Sequence, residues 1–127
     1  MWKFLIGLAF SLVASAAQAQ WVLVTVGDNG DKFYVDPTTK SRSGNVVRIW
    51  TLQDYQKPEV ILGKPSYSDR VYQRFDCAER TNQILQETAF VGRMGTGESL
   101  GSSTKPGAKS FVAPGTAANS MLNFACK

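Results

Sequence analysis

The chain has 127 residues, with 14 Lys+Arg, 10 Asp+Glu and no histidine, for a formal charge of +4. That length holds one domain once an export leader is subtracted, and the scattered positive charge falls far short of a nucleic-acid footprint. The missing histidine removes the commonest general base and the commonest transition-metal ligand.

The chain opens on an export signal. Met1-Trp2-Lys3 supplies a positive start, Phe4 to Val13 an apolar run, and Ala17-Gln18-Ala19 the small residues that a signal peptidase reads. The run is too short to span a bilayer, which takes about 20 apolar residues. No cysteine stands at the cut to carry a lipid. The expectation is a cleaved signal peptide over 1–19 and a single mature domain over 20–127.

The mature region reads as strands and turns until its last dozen residues. Trp21 to Val26 is β-branched and aromatic. Gly27-Asp28-Asn29-Gly30-Asp31 turns the chain. Lys32-Phe33-Tyr34-Val35 is a second strand, and Asp36-Pro37-Thr38-Thr39 has the residues of a type I turn. Val46 to Leu52 is a third strand with neither face cleanly polar, as in a central strand or one whose aromatic face something else covers. Lys57 to Ser68, holding Pro58, Gly63 and Pro65, reads as a connection, with a short pairing at Val60-Ile61-Leu62.

Arg70 to Cys77 alternates. Val71, Gln73, Phe75 and Cys77 share one face, and Arg70, Tyr72, Arg74 and Asp76 the other. Thr81 to Val91 fits either period; its β-branched and aromatic second half favours strand. Gly92 to Lys109 is rich in Gly, Ser and Thr and reads as a mobile loop. Phe111-Val112-Ala113 is a last short strand. Thr116 is an N-cap for a helix over Ala117 to Cys126, whose Ala118, Met121, Leu122 and Ala125 form one stripe.

Two cysteines, Cys77 and Cys126, remain in an exported context that lets them pair. The alternatives are free thiols or an intermolecular bridge. An intramolecular link closes a loop of about 50 residues, worth roughly 4 kcal/mol in the chain-entropy view.

Catalytic and cofactor patterns fail one by one. Gly95, Gly97 and Gly101 miss the dinucleotide spacing, since Leu100 holds the third glycine position. Asp69, Asp76 and Glu79 are the nearest carboxylate cluster, but Asp69 and Asp76 fall on opposite faces of one strand. Serine lacks a base, with no histidine and no Ser-x-x-Lys. Asp28-Asn29-Gly30-Asp31 is too short for a calcium loop. The reading is therefore no catalytic residue, no cofactor and no metal ligand. Arg70, Tyr72 and Arg74 are the candidate protein-binding residues, because arginine and tyrosine give large contact area and fixed donors.

The order and spacing of many residues resemble the surface-adhesin protein E family of Gram-negative bacteria. The matching residues are Phe33-Tyr34-Val35-Asp36 with Thr38-Thr39, Val47 to Tyr55, Ser66, Phe75-Asp76-Cys77 with Arg80, Gly92-Arg93-Met94-Gly95 with Gly97, and the end at Cys126. The resemblance implies an α+β fold: a curved antiparallel sheet of about six strands with a C-terminal helix on one face, tied by a sheet-to-helix disulfide. It also implies binding to host matrix or serum proteins, and homodimers. The missing lipid anchor leaves the periplasm and the outer surface both open as compartments.

The first functional expectation is a non-enzymatic envelope protein that binds a protein partner through Arg70, Tyr72 and Arg74 and the Gly92 to Lys109 loop. The second is a periplasmic inhibitor or envelope-homeostasis module. A hydrolase working through carboxylates comes third. Neither nucleic acid nor a membrane span is expected.

Overall fold

The computed structural model describes residues 19–127. The leader reading over 1–19 thus lies, apart from Ala19, outside the described residues. Seven strands follow in chain order: β1 (Val22–Val26), β2 (Lys32–Ser43), β3 (Val46–Ile61), β4 (Lys64–Asp76), β5 (Thr81–Phe90), β6 (Ser99–Ser103) and β7 (Ser110–Phe111). A 3-10 turn (Arg93–Gly95) stands between β5 and β6, and the helix α1 (Ala117–Ala125) ends the chain. The sheet is an open antiparallel meander in the order β1 to β6, and β7 adds a second short partner to β5. The expected α+β architecture is present, with one more strand than the six foreseen. Among the described residues no helix is long and apolar enough to cross a membrane.

The helix covers one face. Met121, Leu122 and Ala125 are buried against Val35, Val47, Ile49, Phe75 and Val112, and Ala118 packs alongside. This is the helical stripe meeting the inward alternation of three strands. Thr116 caps the helix, its hydroxyl accepting from the Asn119 amide at 3.2 Å. Cys77 at the end of β4 and Cys126 just past α1 form a disulfide across 49 positions. Arg42 donates to the Cys126 carbonyl at 3.1 Å and Lys40 to the Lys127 carbonyl at 2.9 Å. Both cations stand at the C-terminal end of the helix, where its dipole favours positive charge.

Three local readings need correction. Lys57 to Ser68 is no connection but the far half of a long hairpin, with Glu59, Val60 and Ile61 opposite Ser66, Pro65 and Lys64. Leu62 and Gly63 turn it with φ of 51° and 77°, the double left-handed geometry of a tight two-residue loop. Pro58 sits where the β3 to β4 register slips, and Pro65 lies beyond the last β4 to β5 pair, so neither proline interrupts a two-sided ladder.

Asp36 to Thr39 is no chain reversal but a bulge within β2, whose register slips between Asp36 and Ser41. The Asp36 carboxylate accepts from the Thr38 amide at 3.0 Å and its hydroxyl at 2.6 Å. The Thr39 hydroxyl donates to the Asp36 carbonyl at 2.7 Å and accepts from the Trp50 amide at 3.0 Å, carrying the ladder across the gap. The third correction concerns Gly92 to Lys109, which holds the 3-10 turn and strand β6, with Leu100 buried.

Candidate functional site

The face opposite the helix divides into two halves. On the first, β3 and β4 bring Arg48 opposite Arg74, Trp50 opposite Tyr72 and Leu52 opposite Arg70. The Trp50 and Tyr72 rings stack with centroids 5.0 Å apart. The Arg70 guanidinium lies 5.7 Å from the Trp50 ring centre and 5.1 Å from that of Phe90. Arg70 thus lies within cation–π reach of two rings.

The three sequence candidates Arg70, Tyr72 and Arg74 do sit together, and two further residues, Arg48 and Trp50, join them. Their partners on β5 are neutral: Thr88 beside Arg70, Gln86 beside Tyr72 and Gln83 beside Arg74. Ser41 is the β2 partner of Arg48. Among the described residues the ion pairs are Lys64 with Glu98 and Arg93 with Asp54, so Arg48, Arg70 and Arg74 face no carboxylate within pairing distance. Like charges directly opposite on paired strands destabilise a sheet, and packing gives no reason to oppose Arg48 and Arg74. Asp76, on the same strand face, is turned to its own turn, accepting from the Ala78 and Glu79 amides.

The other half of this face is sealed by the turn after β5. Arg93 donates to the Asp54 carboxylate at 2.7 Å and the Tyr55 carbonyl at 2.8 Å, and it lies over the Tyr67 ring at 4.8 Å. The Met94 amide donates to the other Asp54 oxygen at 2.8 Å, and the Gly95 amide to the Ser68 hydroxyl at 2.8 Å. Asp54, Leu52 and Ser68 are buried beneath. Gly92 is required here: a Cβ on it would lie 2.6 Å from the Thr96 carbonyl oxygen. The Gly95 and Gly97 of the failed phosphate-loop pattern both take positive φ, as this turn demands.

On the helix side, between β3, β4 and β5, a second group of polar residues meets. Asp69 is 7% exposed, and its Oδ1 has no hydrogen-bond partner. The Tyr55 hydroxyl reaches its Oδ2 at 3.4 Å. Burial first, then the neighbouring Glu87 carboxylate, pushes the Asp69 carboxyl up to about 8. Burial and Asp69 also raise the Tyr55 phenol well above its usual value. Glu87 is the partner that chain reading missed. Its register with Val71, two positions along from Asp69, is the one signal that pointed to it. Asp76 and Glu79 lie elsewhere, at the β4 to β5 turn, so the carboxylate cluster foreseen from sequence does not assemble. Among the described residues no group of three or more acidic or cysteine side chains is arranged to hold a metal.

A sequence model of surface-adhesin protein E matches residues 21–127. Crystal form II of Haemophilus influenzae protein E is similar to this chain with a TM-score of 0.69 at 14% identity, over 87% of this chain and 90% of that one. Its selenomethionine form gives 0.67 at 13%, over 87% and 88%. No curated protein matches the chain. At such identities the structural likeness speaks for the fold: an open antiparallel sheet, one C-terminal helix and the disulfide between them. With the sequence model matched across nearly all of the described residues, the chain belongs to the surface-adhesin protein E family.

Proposed function

We propose that this chain is an exported, non-enzymatic envelope protein that holds an acidic protein partner on the open half of its helix-free face. Arg70, Tyr72 and Arg74 form the contact, with Arg48 and Trp50 beside them. The observation that carries this reading is the set of three arginines without counter-charge around a stacked Trp50 and Tyr72. Stacking holds the rings and the Arg70 guanidinium in place before binding, which lowers the ordering cost of an interface. Guanidinium forks pair bidentately with Asp and Glu side chains, and buried aromatic and arginine anchors are where interface energy concentrates. A surface adhesin family is a fitting setting, with host matrix or serum proteins as the partner class.

The test is a binding panel of purified matrix and serum proteins against the mature chain and its Arg70→Glu/Arg74→Glu variant. The expected result is binding that weakens with added salt and is lost in the variant, at unchanged circular dichroism. A panel with no binding above an unrelated exported domain, or binding that survives the double reversal, defeats the reading. Protease accessibility on intact cells separates an outer-surface position from the periplasm.

A further inference from the structure

The edge strand β1 begins beside a buried carboxylate. Val22 pairs with Val35, so the residues just before it run past Asp36. The Gln20 backbone nitrogen donates to Asp36 Oδ2 at 3.2 Å. Asp36 is only 3% exposed. Its other oxygen is already engaged by Thr38, so Oδ2 is the end turned toward the incoming chain. The two meet at a hollow of about 410 Å³ whose wall includes Ala19, Trp21, Trp50 and Arg70. The peptide bond between Ala19 and Gln20 is also the one the leader pattern marks for cleavage.

We propose that Asp36 is the docking site for the α-ammonium that leader removal creates at Gln20, so that processing turns a neutral amide contact into a partly buried ion pair that fastens β1. Hydrolysis by a signal peptidase adds one water across the amide. The oxygen goes to the Ala19 carbonyl carbon, which departs as a carboxylate, and both hydrogens go to the Gln20 nitrogen. That nitrogen, formerly a single donor to Asp36, becomes a charged group with three. Ala19 leaves the wall of the hollow at the same step. A charge-assisted bond to a carboxylate is stronger than the neutral amide bond it replaces. It acts where help is needed, since β1 pairs on one side only and exposes Val22, Leu23 and Val26.

The charged groups lining the hollow are Asp36 from β2 and Arg70 from β4. Asp36 favours the ammonium, while Arg70 opposes it from between the Trp50 and Phe90 rings. The direct contact makes Asp36 the dominant neighbour, so the amine's pKa is raised. The stability this adds is complete below the amine's ordinary pKa of about 7.7–8.0 and is lost as pH rises through the folded value. The inference does not rest on the partner-binding role: it stands if that role fails.

The experiment uses protein exported with its own leader and purified from the periplasm, with the N-terminus read by mass spectrometry. The Gln20 amine is titrated through the ¹³C shift of its Cα in glutamine-labelled protein. The expected outcome is a terminus at Gln20 whose amine holds its proton about tenfold more tightly than usual, titrating near pH 9. A chain retaining Ala19 carries its ammonium one residue too early and should lack the melting-temperature loss that the mature chain shows near pH 9.

Cyclisation gives a second readout. There the free amine attacks its own side-chain Cδ, ammonia leaves and a neutral lactam forms. Only the unprotonated amine reacts, so the rate should be about tenfold slower in the mature chain than in Asp36→Asn. A terminus elsewhere than Gln20, an amine titrating at its ordinary value, or identical melting profiles for the two chain lengths overturns the proposal. The titration needs no variant, so a poorly folding Asp36→Asn chain leaves the test intact.

Discussion

The helix-free face carries arginines of two kinds, and the contrast between its halves separates structural charge from available charge. Arg93 and Arg70 both lie over aromatic rings. Arg93 also closes on Asp54, the Tyr55 carbonyl and a turn whose amides complete the same carboxylate. Arg70 has the rings but no acid, and Arg48 and Arg74 confront each other across the β3 to β4 ladder. In the sealed half, Arg93 and Asp54 have each other within the fold. In the open half, charges sit on a rigid platform that folding alone does not explain. Arginine and aromatic groups concentrate interface energy, and this difference is the ground for proposing the open half as the binding site.

Breaking the frame that holds both halves should have the largest effect. Cys77→Ser with Cys126→Ser should cost about 4 kcal/mol. At roughly 4–8 °C for each kcal/mol in a domain of this size, calorimetry should read a drop on the order of 15–30 °C. A shift of one or two degrees would mean that the helix clasp contributes little.

Next comes the sealed half. Arg93→Ala leaves buried Asp54 with only its amide donor. The cost should be about 2 kcal/mol, below the 3–5 kcal/mol of a fully buried pair because Arg93 itself is half-exposed. Partner binding should survive in this variant, and its loss would blur the line between the halves.

Acid titration sharpens the contrast from the helix side. Asp69, unlike Asp54, has a carboxyl rather than an arginine for its neighbour, and its raised pKa means that the folded state holds a proton the unfolded state releases. Its contribution to stability is complete below the unfolded value near 4 and is lost as pH rises through about 8. Denaturant midpoints should therefore fall across that window in wild type and flatten in Asp69→Asn. An Asp69→Asn chain with the wild-type slope would show that this pair does not control it.

The smallest effect belongs to the open half. Arg48→Gln with Arg74→Gln removes a like-charge opposition and should raise stability by roughly 0.2–1 kcal/mol while weakening partner binding. A loss of stability would show that these arginines serve the fold after all.

Much of the frame was legible because it depends on local pattern. The alternation of Val71, Gln73, Phe75 and Cys77, the stripe of Met121, Leu122 and Ala125, and the Thr116 cap each express a period or an offset within a few residues. Two of the three misreadings share a cause. Pro58, Pro65 and the Asp36-Pro37 pair read as breaks because proline and aspartate favour turns. Bulges and an unpaired margin absorb them in the real sheet, and neither can be seen without the partner strand.

The chain alone determined a leader pattern, the cores of most strands, a capped helix and one possible cysteine pairing, because composition and periodicity act over short distances. It also placed Arg70, Tyr72 and Arg74 on one face, since alternation along a single strand needs no partner. Tertiary structure alone decided that Arg48 and Trp50 join them, that Arg93 closes on Asp54 and that Asp69 meets Glu87. Those meetings depend on cross-strand register and on where the bulges fall, and register is a property of paired strands rather than of either one.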